Sequence, residues 1–213
     1  MLQEVYPVKN CQLALKRLFD LIVCTGALVV LLPVMLIISI VVKLSSQGPV
    51  LFVQERVGKD ERLFRILKFR TMLQTVDVKI PPAWSRSDEL RTTRAGRFLR
   101  DYGLDELPQL INIIRGDMSV IGPRPPLPAL AAQFTENQRI MFRMRPGVLS
   151  LAAVEGRRSI PMSQRIDKHV LYVENWSLCL DAGILWRSLF VVLSRRDASE
   201  TIVVEDIPTK KVS

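Results

Sequence analysis

Leu104-Asp105-Glu106-Leu107-Pro108-Gln109 sets two acidic side chains side by side at the head of an apolar-periodic stretch. Adjacent carboxylates can serve only to cap a helix and complement its dipole, as acidic first turns commonly do. They can also do chemistry. Hard cations favour carboxylate and phosphate oxygens, so one acid can hold a divalent ion while the other attacks phosphorus. That second use needs positive charge nearby to hold a diphosphate. Arg94, Arg97 and Arg100 precede the pair, Arg115 and Arg124 follow it, and Lys68 and Arg70 stand in an earlier cationic segment. Proline and glycine in Gly122-Pro123-Arg124-Pro125-Pro126 fix the backbone around Arg124, making it the best placed of the later arginines. Taken singly, each arginine reads equally well as a solvated surface charge.

Several other chemistries are disfavoured. The chain has neither GxxxxGK[ST] nor GxGxxG, so P-loop and Rossmann nucleotide binding have no support and the phosphates must be held another way. Cys11, Cys24 and Cys179 are far apart with no CxxC, which indicates neither a disulfide framework nor zinc and fits a reducing compartment. His169 is the only histidine, so a Ser-His or Cys-His pair would have to use it; an ordinary exposed or packed histidine is the simpler reading. Thirty Lys and Arg against 21 Asp and Glu give a net charge of +9, which calls for an anionic partner: nucleic acid, membrane surface or phosphorylated small molecule. Aromatic residues are few and not interleaved with the basic ones, so a base-stacking platform is unsupported. A hydrophobic fraction of 48%, high for so charged a chain, makes the membrane the leading partner.

The elements that must position these residues begin with an anchor. From Leu21 to Val42 run 22 uncharged residues, about 33 Å as a helix and close to the thickness of a bilayer core. The run is too long for the apolar region of a signal peptide and has no small-residue cleavage pattern after it. Pro33 sits near its middle, where it removes a helical hydrogen bond and bends the chain. Lys9, Lys16 and Arg17 precede the run, and Lys43, Arg56, Lys59, Arg62, Arg65, Lys68 and Arg70 follow it, so both flanks carry the charge of cytoplasmic segments. A re-entrant helix, broken at Pro33 and returning to its own face, reconciles length, proline and charge; a kinked bitopic helix is the alternative.

At 213 residues one compact domain fits beside that anchor. The expected organisation is an N-terminal segment (1–15), the membrane helix (16–44), a catalytic domain (45–197) and a solvated tail (198–213), without internal repeats. Val50 to Gln54 reads as a short strand after the Gly48-Pro49 turn, with Leu63 to Phe69 as its hairpin partner. Leu73 to Ser87 reads as a loop, and Asp88 to Tyr102 as a helix. A second helix, opening at the carboxylates, carries Leu107, Leu110, Ile111 and Ile114 and stops near Arg115-Gly116. A third is expected over Leu127–Arg143, and further helices over Ser163–Val173 and Leu178–Leu193. Trp176 and Trp186 suit either a bilayer interface or a packed core. The fold class is therefore α+β and mainly helical.

These segments together resemble the bacterial sugar transferases, the monotopic phosphoglycosyl transferases. The matching stretches run in order: Lys16-Arg17-Leu18-Phe19-Asp20, Gly48-Pro49-Val50-Leu51-Phe52, Lys68-Phe69-Arg70-Thr71-Met72, Leu104 to Leu110, Gly116 to Pro125, Arg145-Pro146-Gly147, and Tyr172 to Ser177. What the resemblance implies is an aspartate nucleophile, Asp105, beside a glutamate, Glu106, that helps bind Mg²⁺. It also implies basic active-site positions at Lys68, Arg100 and Arg124, with Arg70 and Arg145 inside matching segments joining the phosphate-binding set, and Pro33 as the membrane-helix break. The implied partners are a nucleotide-sugar donor, typically a UDP-sugar that releases UMP, a polyprenyl phosphate such as undecaprenyl phosphate, and membrane lipid. Nucleic acid is not among them, and a homodimer is left open. The implied place is the bacterial inner membrane with the catalytic domain on the cytoplasmic face, at the first step of exopolysaccharide, capsule, lipopolysaccharide or glycoprotein glycan assembly. The additional N-terminal membrane domain of some members is not expected in so short a chain.

The departures concern recognition and anchoring. Leu32 replaces the serine that usually precedes the helix-breaking proline, the altered segment Leu149 to Glu155 has lost the family's Thr-Gly and its amides, and His169 stands where the family often has an aspartate. No role is carried onto His169. The rival without catalysis is a membrane-anchored adaptor binding anionic lipid, with Asp105-Glu106 as a helix cap. Which sugar is carried stays open.

Overall fold

The computed structural model describes residues 10–73, 91–155 and 160–193. The 198–213 tail, most of the expected Leu73 to Ser87 loop, the start of the expected Asp88 to Tyr102 helix and the Gly156-Arg157 pair lie outside the described residues.

Helix α1, Asn10–Ser45, is 36 residues long. It is the one helix among the described residues that is long and apolar enough to cross a membrane, and only 17% of its most apolar window is buried, which sets it apart from a core helix. Lys16, Asp20, Cys24, Met35, Ile38 and Val42 are buried and Leu28 packs with them. Their spacing of three and four makes one stripe facing the body. Val29, Val30, Leu36, Ile37 and Ile40 remain exposed. Helical structure continues through Pro33, where an interruption was expected; one missing N–H donor is not enough to end a helix held by packing on both sides.

Both ends of α1 are tied to the same body by polar groups. Near its start, Lys16 Nζ meets Asp181 Oδ2 at 2.6 Å, Arg17 donates to the carbonyls of Ile113 and Ile114, and the Val120 N–H donates to Asp20 Oδ1. Asp181 also accepts from the Tyr172 hydroxyl at 2.6 Å and from Trp176 Nε1 at 3.1 Å. Trp176 is thus a packed residue, whereas Trp186 is 63% exposed. At the other end, Arg70 donates to the carbonyls of Val42, Ser46 and Pro49, which gathers in the last turn of the helix and the chain leaving it.

Strands β1 (Leu51–Val57) and β2 (Leu63–Phe69) form the expected hairpin, antiparallel from Leu51↔Phe69 to Val57↔Leu63, with β1 longer than anticipated. Helix α2, Arg94–Asp101, is shorter than its sequence pattern because the Thr93 side chain caps it, accepting the Gly96 N–H. Helix α3, Gln109–Arg115, begins later than expected: Gly103 turns left-handed at φ 68°, Leu104–Glu106 form a 3₁₀ turn, and Pro108 precedes the helix. Asn112 on α3 is fully buried and pairs with the backbone of β2, accepting from the Leu67 N–H and donating to the Arg65 carbonyl.

A parallel pair was not anticipated. Strands β3 (Ser119–Ile121) and β4 (Gly147–Leu149) are three residues each, too short to show an alternating pattern. The expected helix over Leu127–Arg143 is instead α4 (Pro128–Ala131), α5 (Glu136–Arg139) and a 3₁₀ turn at Ile140–Arg143. The interruption has a local cause: Thr135 and Gln138 form a reciprocal capping box that starts a new helix. Phe134 and Phe142 stack across that break, at 5.9 Å between ring centres. Helices α6 (Leu151–Glu155), α7 (Met162–Glu174) and α8 (Leu178–Leu193) complete the described residues, the last with its expected bounds.

Close backbone approach fixes the parallel pair. A Cβ at Gly147 would lie 2.0 Å from the Gly122 nitrogen, so Gly147→Ala must push two strands apart. We expect that substitution to cost about 3 kcal/mol or more, as backbone displacement in a packed core does. Gly183→Ala, with open space around the added carbon, is expected to be neutral or to stabilise by up to about 1 kcal/mol as a helical glycine replacement. Thermal unfolding of both variants in detergent checks the contrast.

Candidate active site

The 3₁₀ turn after Gly103 presents Asp105 and Glu106 toward the hairpin. Lys68, one residue from the end of β2 and opposite Phe52, puts its Nζ 2.6 Å from Glu106 Oε1. Arg124 reaches the same oxygen at 3.0 Å. Its loop is stiffened by proline and by cross-strand bonds: the Gly122 N–H donates to the Leu149 carbonyl, and the Gly147 N–H to the Pro123 carbonyl. Arg100 comes from α2, where its Nε donates to Thr71 Oγ1 at 2.8 Å, and its charge acts on Asp105. Asp105 is 9% exposed and its carboxylate accepts no hydrogen bond from the described residues. Neither carboxylate caps α3, whose first turn is preceded by Pro108 without a side-chain cap.

The electrostatics divide the two acids. Burial works to raise the Glu106 carboxyl, but Arg124 and Lys68 outweigh it and hold it at about 2. Burial raises Asp105 above the ordinary carboxylate range, with Glu106 adding to the rise and Lys68, Arg100 and Arg124 opposing it. Burial lowers Lys68, and Glu106 offsets part of that loss; Arg124 is raised by Glu106. The pair therefore contains one acid fully neutralised by ion pairs and one held with open oxygens in a cationic setting, an arrangement that separates a supporting carboxylate from a reactive one.

The other residues singled out from the sequence fall elsewhere. Arg70 is committed to carbonyls at the end of α1, and Arg145 donates through Nε to the Gly116 carbonyl, at the opposite end of α3 from the carboxylates. Pro33 lies within α1 and is exposed. His169 is a packed histidine, its Nδ1 without a hydrogen-bond partner among the described residues, held neutral with a pKa lowered to about 3 by burial and by Arg124 and Arg165. Sequence reasoning missed Arg56. Its Nη1 donates to the Pro125 carbonyl and its Nη2 to Gln54 Oε1, and burial together with Arg124 lowers it to about 10. Strand alternation was the available signal, because the register sets Arg56 and Lys68 on one face of the hairpin.

Among the described residues no three Asp, Glu, His or Cys side chains gather to hold a metal. Asp105 and Glu106 supply two hard carboxylates, with Oε1 of Glu106 used by Lys68 and Arg124. Mg²⁺ is commonly bound by one or two carboxylates and completes its shell with phosphate oxygens and water, so the set fits Mg²⁺ delivered with a phosphorylated substrate.

Comparison with known proteins gives a consistent frame. The bacterial sugar transferase family profile matches residues 11–195. The chain is 35% identical over 193 residues to a UDP-glucose:undecaprenyl-phosphate glucose-1-phosphate transferase of Klebsiella pneumoniae, covering 86% of this chain and 41% of that protein. It is 37% identical over 204 residues to a UDP-galactose-lipid carrier transferase of Erwinia amylovora, covering 89% and 43%. With the exopolysaccharide production protein ExoY of Rhizobium meliloti it shares 37% identity over 195 residues, 84% of this chain and 86% of that one. The chain thus spans less than half the length of the first two relatives.

The depressed Glu106 predicts an acid limb of stability. Its pKa falls from 4.5 to about 2 on folding, so its contribution is complete above about pH 4.5 and is lost as the pH drops toward 2. Glu106→Gln is expected to flatten the dependence of the thermal midpoint on pH between those values. Equal slopes for the two proteins would remove the ion-pair assignment.

Proposed function

The chain belongs to the bacterial sugar transferase family, and from that premise we propose that it transfers a sugar 1-phosphate from a UDP-sugar to a polyprenyl phosphate such as undecaprenyl phosphate. The observation that carries this reading is the buried carboxylate of Asp105, which no described residue hydrogen-bonds, beside a Glu106 that is already paired with Lys68 and Arg124. A carboxylate without hydrogen-bond partners keeps its lone pairs available, and its raised basicity strengthens it as a nucleophile once ionised.

In this mechanism Asp105 attacks the phosphorus that bears the sugar. An acyl phosphate bond forms as the diphosphate P–O bond breaks, and UMP leaves with the bonding electrons. The phosphate of the lipid then attacks the same phosphorus, displacing Asp105 as a carboxylate and giving a lipid diphosphosugar. Lys68 and Arg124 hold Glu106 in place, and with Arg100 and Arg56 they offset the charge of a diphosphate. Bound Mg²⁺ at the Asp105-Glu106 pair would neutralise charge building on the leaving phosphate. The two steps suit two dissimilar substrates, since the soluble product can depart before the membrane-borne phosphate approaches.

The same reading places α1 in the cytoplasmic membrane as a re-entrant element with the catalytic body on the cytoplasmic face. Its support is that Lys16 and Arg17 near one end and Val42 near the other are bonded to a single body. A helix crossing a bilayer carries its two ends to opposite sides, about 30 Å apart.

Two outcomes test the proposal. Enzyme incubated with a panel of UDP-sugars and no lipid is expected to gain the mass of one sugar phosphate, mapped to Asp105. Asp105→Asn should gain no mass and lose turnover by about 1,000-fold or more, as removal of a covalent nucleophile does; full activity in that variant would sink the mechanism. For topology, the exposed Cys11 and a cysteine at the exposed Leu44, in a Cys179→Ser background, should both resist an impermeant maleimide in intact cells. Both should react after permeabilisation. Periplasmic labelling of either site would favour a bitopic helix.

A further inference from the structure

A small, partly open cavity of about 30 Å³ lies between the first turns of α1 and the Arg143-Met144-Arg145 segment. It stands apart from the carboxylate pair. Arg145 meets the Gly116 carbonyl after the last turn of α3, whereas Asp105 and Glu106 precede its first. Five basic side chains line the space, but two are balanced. Lys16 is spent on the buried Asp181 at 2.6 Å. Arg17, donating to the carbonyls of Ile113 and Ile114, offsets Asp20, whose carboxylate accepts the Val120 N–H.

Lys59, Arg143 and Arg145 remain. Lys59 has only a solvent-exposed contact with Asp60 at the 4.0 Å limit, which is worth little. Arg143 is exposed and Arg145 uses only its Nε among the described residues, leaving both terminal nitrogens of each guanidinium open. Ser119, 1% exposed with a hydroxyl that has no hydrogen-bond partner among the described residues, lines the same cavity. Three cations that face no carboxylate of their own in the cavity, around a buried hydroxyl, form a setting suited to an oxyanion, since phosphate accepts charge-assisted bonds from guanidinium and ammonium donors.

We propose that this cavity is a second phosphate site, separate from the reaction centre, which takes a phosphate-bearing anion between Lys59, Arg143, Arg145 and Ser119. Its position at the start of the apolar helix gives the anion two sources of the same chemistry: the headgroup of an anionic lipid or a free phosphate. Either one bridges α1 to the 143–145 segment, and through Gly147 to the strand pair whose following loop carries Arg124.

The test uses the detergent-solubilised full chain. Its thermal midpoint is followed while short-chain phosphatidylglycerol, short-chain phosphatidylcholine or inorganic phosphate is added, for wild type, for Lys59→Ala/Arg143→Ala, and for Lys168→Ala/Arg187→Ala. The last pair removes the same charge from the exposed cluster around Glu155. We expect phosphatidylglycerol to raise the wild-type midpoint more than phosphatidylcholine does. The cavity variant should need at least about tenfold more lipid for the same rise, and the control variant should match wild type; each basic residue near a lipid surface contributes roughly that factor or somewhat less. A rise with inorganic phosphate as well, lost in the cavity variant, assigns recognition to the phosphate group itself, and a rise with phosphatidylglycerol alone assigns it to the headgroup. No rise with either anion, or an equal rise in all three proteins, overturns the site.

Discussion

Two neighbouring carboxylates repel each other, and taking both out of water is stable only if cations from other parts of the chain converge on them. That requirement organises the body of this protein. Lys68 arrives from β2 and Arg124 from the proline-rich loop after β3, both on one oxygen of Glu106. Arg100 comes from α2, and Arg56 from β1. No two of these groups share an element, so the site exists only when hairpin, helices and parallel pair are assembled. The uneven sharing matters as much as the gathering: because Glu106 takes both ion pairs, Asp105 is left buried with no hydrogen-bond partner among the described residues. Fold and chemistry are thereby the same arrangement.

Less conspicuous residues hold those elements in place. Asn112, wholly buried on α3, satisfies the backbone of β2 and so fixes the distance between Lys68 and the turn that carries the acids. Gly122 and Gly147 let two backbones approach where a side chain would not fit. A buried polar group that meets its partners contributes specificity here more than raw stability, since an apolar residue of the same size would leave the β2 amide and carbonyl unmatched.

Helix α1 joins an apolar exterior to a polar fastening at each end. Asp181 receives Lys16, Tyr172 and Trp176, and Arg70 collects the carbonyls at the far end. An exposed apolar face needs lipid or protein to cover it, while buried ion pairs need close geometry to repay desolvation. The combination confines the helix to the edge of one body. It also explains why Arg70, which belongs by sequence to the same basic segment as Lys68, has a different duty two residues away.

The sequence by itself determined the apolar helix, the hairpin, the closing helix Leu178–Leu193 and the neighbouring acids, because each is written in local periodicity or adjacency. Ordered motifs along the whole chain also identified the family. Local patterns misjudged the long helix expected over Leu127–Arg143, where the Thr135 and Gln138 capping box outcompetes continuous helicity, and they passed over a parallel pair only three residues deep. Arg56 escaped because nothing local separates it from a solvated strand arginine. Only the tertiary structure decided which cations meet the acids. Lys68 is 38 residues from Glu106 and Arg124 is 18 residues away, and whether charges so separated come within 3 Å depends on β2, α3 and the Gly122–Gly147 crossing being packed together. Net charge could announce an anionic partner, but it could not assign Arg70 and Arg145 to carbonyls and Arg124 to a carboxylate, since backbone acceptors come within reach only in the assembled fold.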